Sequence, residues 1–401
     1  MIEFAVPETI ERQRVRIEEF IARTVIPLES TAYEQGVDDG LRIRLQAAAR
    51  EAGVWAPQVP SSLGGGGFDF VSSAILLEEA GYSPLGPLAL NCAAPDEGNM
   101  HLLEKTGSSD QRERYLHPLV AGDVRSCFAM TEPPPGAGSD PAALRTTAER
   151  LDGGWVINGR KWLITGAAGA GFAIVMARNI DGSGATMFLV DADNPGWQVG
   201  RHLKTIDASM PGGHCEVVLE ECFVPDEAVL GEPGRGFDYA QVRLVPARLT
   251  HCMRWLGAAR RAHTISTFRA TNRELFGAKL SSLGMAQAII ADNEIELSAS
   301  RSMLWHACWI VASGAKGTEA SSRAKVFISE ATSRIIDRSV QLAGGMGTSE
   351  DLILGRIYAD ARAFRIYDGA SEVHRMSIAN RVVRRMSEAP RTNTDQRAAD
   401  S

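Results

Sequence analysis

The chain has 401 residues, 44% hydrophobic and 23% charged, with a formal net charge of -7 at pH 7. That is enough for a large core in two or three structural units of an ordinary soluble protein. A net negative charge without a long basic run argues against nucleic acid as a partner, and no apolar stretch reaches membrane-spanning length, so membrane insertion is not expected.

The N-terminus lacks the order of charge, apolar run and cleavage site of a signal peptide, so the expected location is cytoplasmic. Six cysteines (92, 127, 215, 222, 252 and 308) are scattered without a C-x-x-C pair. They read as buried free thiols rather than a disulfide framework or a zinc site, and no metal is expected.

Residues 1–121 read as an N-terminal helical domain. Ile10, Ile17, Phe20 and Ile21 fall at helical spacing, and Pro27 is expected to close that segment. Residues 41–53 continue in kind and end at Gly53. The Gly64–Gly67 run reads as a flexible turn before a helical stretch from Phe70 to Ala80.

Residues 122–236 are rich in Gly and Pro, with short β-favouring runs at Trp155–Asn158, Phe172–Ala177, Thr186–Val190 and Glu216–Glu220. They read as a small antiparallel β domain inserted between helical segments. Residues 237–386 return to helical periodicity, with Ile328, Ala331, Ile335 and Leu342 on one stripe, and fit four or five long helices as in a bundle. Residues 387–401 read as a disordered polar tail. The fold class expected is mainly α with an inserted β domain.

No G-x-G-x-x-G follows a strand, and neither a G-x-S-x-G elbow nor an H-E-x-x-H helix is present, so nicotinamide, hydrolase and zinc-protease sites are unsupported. Four other segments stand out. Phe128-Ala-Met130-Thr131-Glu132-Pro-Pro-Pro-Gly136-Ala-Gly138-Ser139-Asp140 combines fixed and permissive backbone that can approach a planar polar ring; a rigid turn between strands is the plainer reading. Asn158-Gly-Arg-Lys161-Trp-Leu163-Ile-Thr165-Gly166 reads as an Asn-Gly hairpin followed by a strand. In Arg273-Glu-Leu-Phe276-Gly277 an Arg beside an aromatic suits a phosphate and a base, or simply caps a helix. Gln341-Leu-Ala-Gly344-Gly345-Met-Gly347 precedes Arg365-Ile-Tyr367-Asp368-Gly369-Ala-Ser371, where Asp-Gly interrupts a helical pattern and frees a carboxylate for a cleft or for solvent.

Together, in this order, the four segments resemble the acyl-CoA dehydrogenase family over about residues 5–385. The resemblance implies an N-terminal helical domain, a middle β domain, a C-terminal four-helix bundle, FAD as cofactor and an acyl-CoA substrate. It also implies a homo-oligomer, a dimer or a tetramer built as a pair of dimers, and an electron-transfer flavoprotein as acceptor. It puts Met130, Thr131, Leu163 and Thr165 against the flavin, and Arg273, Phe276, Gln341, Gly344 and Gly345 against the FAD of a neighbouring subunit. It puts Ser139, Arg248, Tyr367 and Gly369 on the substrate side, and Asp368 where the family carries its catalytic carboxylate.

Members that carry the base on another helix place it one residue before Arg248; here that residue is Ala247. The segments around Gly212-Gly213-His214, Arg248 to Arg254 and Asp368 to Arg375 resemble the animal members ten and eleven, without their kinase-like domain. In that subgroup Asp is normal at the base position. His214 and His251 are open candidates for contact with substrate or its CoA. The departures are two extra prolines after Glu132, Leu163 where a Trp is common, and Gly284 where a Gln often meets FAD. The reaction implied is α,β-dehydrogenation of the thioester. The alternatives are a nitroalkane-oxidase-like flavin oxidase and a non-catalytic binding protein on the same fold.

Overall fold

The computed structural model describes residues 5–388. The N-terminal part is built of α1 (Glu8–Phe20), α2 (Glu29–Gln35), α3 (Asp39–Glu51), α4 (Phe70–Ala80), α5 (Gly86–Ala89), α6 (Asp96–Thr106), α7 (Ser109–Gln111) and α8 (His117–Val120). Asp38 and Asp69 cap α3 and α4 through side-chain oxygens that accept amide hydrogens of the first turn. Pro27 does not close the first segment. The chain stays helical past it, through a π turn and a 3-10 turn into α2. Pro27 opens the short 3-10 turn, a position where its missing N–H costs nothing. The Gly64–Gly67 run is a turn, but not a loose one: four successive amides from Gly65 to Phe68 donate to the carbonyls of Pro60, Ala56, Val59 and Pro57.

The middle part is one seven-stranded sheet of β1 (Ser126–Ala129), β2 (Thr147–Leu151), β3 (Gly154–Thr165), β4 (Phe172–Asn179), β5 (Ala185–Asp191), β6 (Trp197–Leu203) and β7 (His214–Pro225). It is mixed rather than antiparallel, because β4 runs parallel to both β1 and β2. The expected hairpin at Asn158-Gly159 does not form. The turn lies at Asp152-Gly153, and β3 runs unbroken through Asn158, which exchanges hydrogen bonds with Glu221 across a bulge. A polar Asn-Gly pair is absorbed there because the bulge supplies partners that a two-residue turn would otherwise provide.

The C-terminal part is α9 (Gly236–Asn272), α10 (Gly284–Ala312), α11 (Thr318–Ala343), α12 (Leu354–Arg362) and α13 (Ser371–Glu388). The expected stripe on α11 is buried at Ile328, Ala331, Ile335 and Leu342. One apolar core joins Ile328 and Ile335 to the N-terminal helices through Leu76, Leu77 and Leu256. Of the tail expected over 387–401, residues 387 and 388 are helical in α13, and residues 389–401 lie outside the described part. All six cysteines are free and buried. No described helix is long and apolar enough to cross a membrane.

Candidate active site

Between α12 and α13 the chain makes a tight turn at Tyr367-Asp368-Gly369. Asp368 takes a φ of +53°, a region that costs a non-glycine residue about 1–3 kcal/mol unless its surroundings enforce it. Three helices enforce it. Arg248 of α9 donates from Nε to the Asp368 carbonyl at 2.9 Å, and His374 of α13 reaches the same oxygen at 3.2 Å. Lys325 of α11 donates from Nζ to the Gly369 carbonyl at 2.7 Å. A Cβ on Gly369 would lie 2.6 Å from His374 Nε2, so only glycine lets that imidazole close on the turn. Burial pulls the Lys325 ammonium down to about 8 and the His374 imidazole to about 4, which makes His374 a neutral donor.

The Asp368 carboxylate is largely buried, and its Oδ2 makes no hydrogen bond. Its nearest cationic-type group is His251 of α9, with Nε2 at 3.4 Å. This contact is not an ion pair. Burial holds the His251 imidazole well below its ordinary range, and the charges of Arg254, Arg243 and Lys325 push it the same way. Arg254 donates to His251 Nδ1 at 3.1 Å, so the neutral tautomer carries its proton on Nε2, facing Asp368. The ring also packs at a tilt against Tyr367, whose hydroxyl accepts from Trp255. Among the described residues the Asp368 amide donates to no acceptor. The turn thus holds a buried carboxylate oxygen beside His251 Nε2–H, beyond hydrogen-bonding geometry, and an amide N–H without an acceptor.

A second group forms at the mouth of the sheet. Thr131 and Trp162 are tied by Trp162 N–H to Thr131 O at 3.1 Å and Thr131 Oγ1 to Trp162 O at 2.7 Å. Lys161 donates to Met130 O at 3.1 Å. Beneath them Glu132 and Lys161 form a buried pair at 2.9 Å, and Glu132 also accepts the amides of Ala137, Arg145 and Thr146. The register of β3 against β7 slips between Lys161 and Ile164. In that bulge Leu163 takes a φ of +54° and turns outward, 45% exposed. Thr165, at the end of β3, is hydrogen-bonded to His214, which is bonded to Asp207.

Arg243 links the two groups. It lies 4.1 Å over the Phe128 ring of β1, and the charge of Asp368 acts on it. Burial raises the Tyr367 hydroxyl, and the charges of both Asp368 and Asp207 raise it further. Ser139 is exposed on the proline-rich loop and makes no side-chain bond to either group.

The loop after β6 is clamped by Asp360 of α12, which accepts the Ala208 amide at 2.9 Å. Burial pushes the Asp360 carboxyl up to about 7, only partly offset by that amide and Arg356. A raised carboxyl contributes stability that is complete below its ordinary value of 3.8 and is lost as pH rises through about 7. Asp360→Asn is therefore expected to lose less stability than the parent between pH 5 and pH 8. Urea midpoints at the two pH values test this; parallel losses in both proteins would contradict it.

The third group lies elsewhere. A two-stranded hairpin, Glu274–Leu275 with Ala278–Lys279, follows α9 and holds Phe276 at its tip, 93% exposed with a φ of +54°. Gln341, Gly344 and Gly345 are exposed at the end of α11, beside it: Arg269 donates to Ala343 O at 3.0 Å. Arg248 and Asn272 are both on α9. Their separation, at 1.5 Å per residue, is about 36 Å. The chain therefore does not bring Arg273, Phe276 and Gln341 to its own Asp368.

The sequence reading missed Lys325 and Arg254, and left His251 and His214 undecided. Lys325 had a signal: it shares the apolar stripe of α11 with Ile328, Ile335 and Leu342, and a lysine in that position has to be buried. Asp207 had none, because its loop finds His214 only through the sheet.

Three family models match in order: acyl-CoA dehydrogenase N-terminal domain over residues 7–123, middle domain over 127–222 and C-terminal domain over 234–383. The chain is 38% identical over 346 residues to the probable acyl-CoA dehydrogenase FadE2 of Mycobacterium tuberculosis, covering 84% of each. It is 33% identical over 392 residues to acyl-CoA dehydrogenase family member 11 of Homo sapiens, covering 92% of this chain and 50% of that protein, so it spans about half of that relative. An acyl-CoA dehydrogenase of Bacillus anthracis, solved complexed with FAD, superposes with a TM-score of 0.84 at 26% identity, over 97% of this chain and 69% of that one.

Proposed function

The chain belongs to the acyl-CoA dehydrogenase family, and on that premise we propose that it removes the α proton and β hydride of an acyl-CoA thioester with Asp368 as the base. The observation that carries this reading is the partnerless Asp368 Oδ2 on a turn that three helices hold in a left-handed conformation.

The cofactor is FAD, and the residues fit it. Leu163 and Phe276 are large apolar side chains left uncovered at left-handed positions. A Cβ on Gly345 would meet nothing within 4 Å, so nothing in its own chain requires glycine there, while a ligand laid against the backbone does. Thr131, Leu163 and Thr165 would border the flavin. Arg273, Phe276, Gln341, Gly344 and Gly345 would hold the FAD of a second copy, in keeping with their distance from Asp368. FAD, when bound, supplies the acceptor for the hydride.

The chain supplies alignment and proton transfer. The thioester carbonyl makes the α proton weakly acidic, and the free Asp368 amide is a donor for the charge that develops on that oxygen. The Asp368 carboxylate takes the proton. His251 Nε2–H lies 3.4 Å from Asp368 Oδ2, and Arg248, Lys325 and His374 hold the backbone that carries the carboxylate. Tyr367 and Gly369 shape the floor beside it. Arg248 is bonded to the base's own carbonyl, so its part is positioning rather than contact with the acyl group. The electrons pass to an electron-transfer flavoprotein, the chain acts as a homo-oligomer, and the free thiols suit a cytoplasmic setting.

Anaerobic mixing of the FAD-loaded protein with acyl-CoA thioesters of graded length is expected to bleach the flavin for at least one chain length. Bleaching by a nitroalkane and by no thioester would move the reaction to the oxidase class. A protein that takes up no FAD would point to a binding module.

A further inference from the structure

His251 is fixed on several sides, yet its remaining ring nitrogen faces the base with no acceptor of its own. Arg254, one turn along α9, donates from Nη2 to His251 Nδ1 at 3.1 Å. Arg254 is itself tied down. Its Nη1 donates to the Cys92 carbonyl at 2.7 Å and lies 3.6 Å from Glu97 Oε2, which also accepts the Thr250 hydroxyl at 2.8 Å. Arg254 and Glu97 are only 6% and 5% exposed. The imidazole packs against Tyr367 and Phe364, with ring centroids 4.6 Å and 6.0 Å away.

The protonation state follows from this geometry. A guanidinium stays charged and can only donate, so Nδ1 must accept. A hydrogen on Nδ1 would point at the Arg254 N–H, which bars both the other tautomer and the imidazolium. The ring is therefore neutral, with its one hydrogen on Nε2. Burial favours the same neutral form, and the charges of Arg254, Arg243 and Lys325 act in the same direction.

His251 Nε2 lies 3.4 Å from Asp368 Oδ2, outside hydrogen-bonding geometry, and Oδ2 accepts from nothing else. A donor and an acceptor thus stand side by side, and a small turn of the Asp368 side chain closes the bond; contacts of this kind tighten when substrate fills a site. Among the described residues no other side chain comes within ion-pair or hydrogen-bond reach of the carboxylate. Arg248 of α9 and His374 of α13 donate to the Asp368 carbonyl, and Lys325 of α11 donates to the Gly369 carbonyl. Arg243 of α9 donates to Asn99 of α6, and the Tyr367 hydroxyl accepts from Trp255.

We propose that His251 is a positioning residue for the base: locked by Arg254 as a neutral donor, it holds the Asp368 carboxylate by an N–H and not by an ion pair. The inference rests on the reading above that Asp368 takes the α proton. A cation in this place would oppose the uptake of that proton with its full charge. A neutral N–H stabilises the ionised form more weakly and leaves it able to act as a base.

The test is the limiting rate at which an acyl-CoA that reduces the parent bleaches its FAD. It is measured anaerobically by stopped-flow pH jumps from pH 7.5 into buffers between pH 4 and pH 9. The parent rate is expected to fall on the acid side as the base becomes protonated. His251→Leu removes the donor, and the midpoint of that acid fall is expected to rise by about one pH unit, a tenfold change in the proton affinity of the base. At pH 9, where the base is ionised in both proteins, the two rates should converge. His251→Gln carries an amide N–H to the position of Nε2 and should keep the parent's midpoint.

An unmoved midpoint in His251→Leu, an equal rise in His251→Gln, or a rate lowered by one common factor at every pH would overturn the proposal. If His251→Leu does not hold FAD, His251→Phe, which refills the space against Tyr367, takes its place and the same rise is required. Asp368→Asn tells the two readings apart. If it bleaches as fast as the parent, the base reading fails, whereas an inert Asp368→Asn beside an unmoved His251→Leu midpoint sinks this proposal alone.

Discussion

Asp368→Ala is expected to keep its FAD and its visible spectrum while losing roughly 10²- to 10⁴-fold or more in the rate at which an acyl-CoA bleaches the flavin. The argument is one of exclusion as well as placement. The side chain at the alternative base position is Ala247, which takes no proton, and it is buried. His251 is neutral and holds its ring proton toward Asp368, while its other nitrogen is occupied by Arg254, so it cannot replace the lost base. Removing the carboxylate also removes a buried charge without opening the turn, because Arg248, His374 and Lys325 bind the backbone carbonyls and not the side chain. The variant should therefore fold. Asp368→Asn is the matched control: the same volume without a proton acceptor of carboxylate strength, with the same loss expected. Stopped-flow bleaching under anaerobic conditions decides it. A rate within threefold of the parent in either variant would remove Asp368 from the mechanism.

Glu132→Ala is expected to give the largest loss of stability, about 3–5 kcal/mol, because it strands a buried charge. Glu132 and Lys161 are 3% and 1% exposed. The carboxylate serves Lys161 and three backbone amides, so its deletion leaves the three amides without an acceptor and Lys161 with the Met130 carbonyl alone. Burial raises the Glu132 carboxyl, but the Lys161 charge and the amides of Thr146 and Arg145 overcome that and hold it at about 2. A lowered carboxyl contributes stability above its ordinary value of 4.5, and the contribution is lost as pH falls through about 2. Glu132→Ala should therefore show a flatter acid limb than the parent in that window. Because the segment from Thr131 to Thr147 hangs on this carboxylate, FAD occupancy should fall with stability. Pairing Glu132→Gln with Lys161→Met, which removes the stranded ammonium, should recover most of the loss. Urea unfolding of the single and double variants measures it; a single-variant loss below about 1 kcal/mol would mean that water or a side-chain shift reaches Lys161.

The sequence by itself determined the mainly α architecture with its inserted sheet. The α11 stripe could only be a buried helix face, and the order of helices, short strands and helices left few alternatives. It also determined that Asp368-Gly369 must break a helix, because Gly tolerates a positive φ and Ser371 opens the next helix. The two misreadings have different causes. Pro27 falls at the start of a 3-10 turn, where its missing N–H costs nothing, whereas at Asn158-Gly159 the local turn preference was overridden by Glu221, distant in the chain. The parallel pairing of β4 with β1 and β2 is equally non-local, and no run of residues within a strand encodes it.

Only the tertiary structure decided how the carboxylate is held and what stands behind the threonine. Lys325, Arg248 and His374 come from three helices and meet at two carbonyl oxygens of one turn. Asp207 reaches Thr165 through the imidazole of His214, 2.9 Å from each. Hydrogen bonds of this kind depend on distances of about 3 Å between residues far apart in the chain. Periodicity and motif order constrain which faces are buried, but they place no two such atoms within reach of each other.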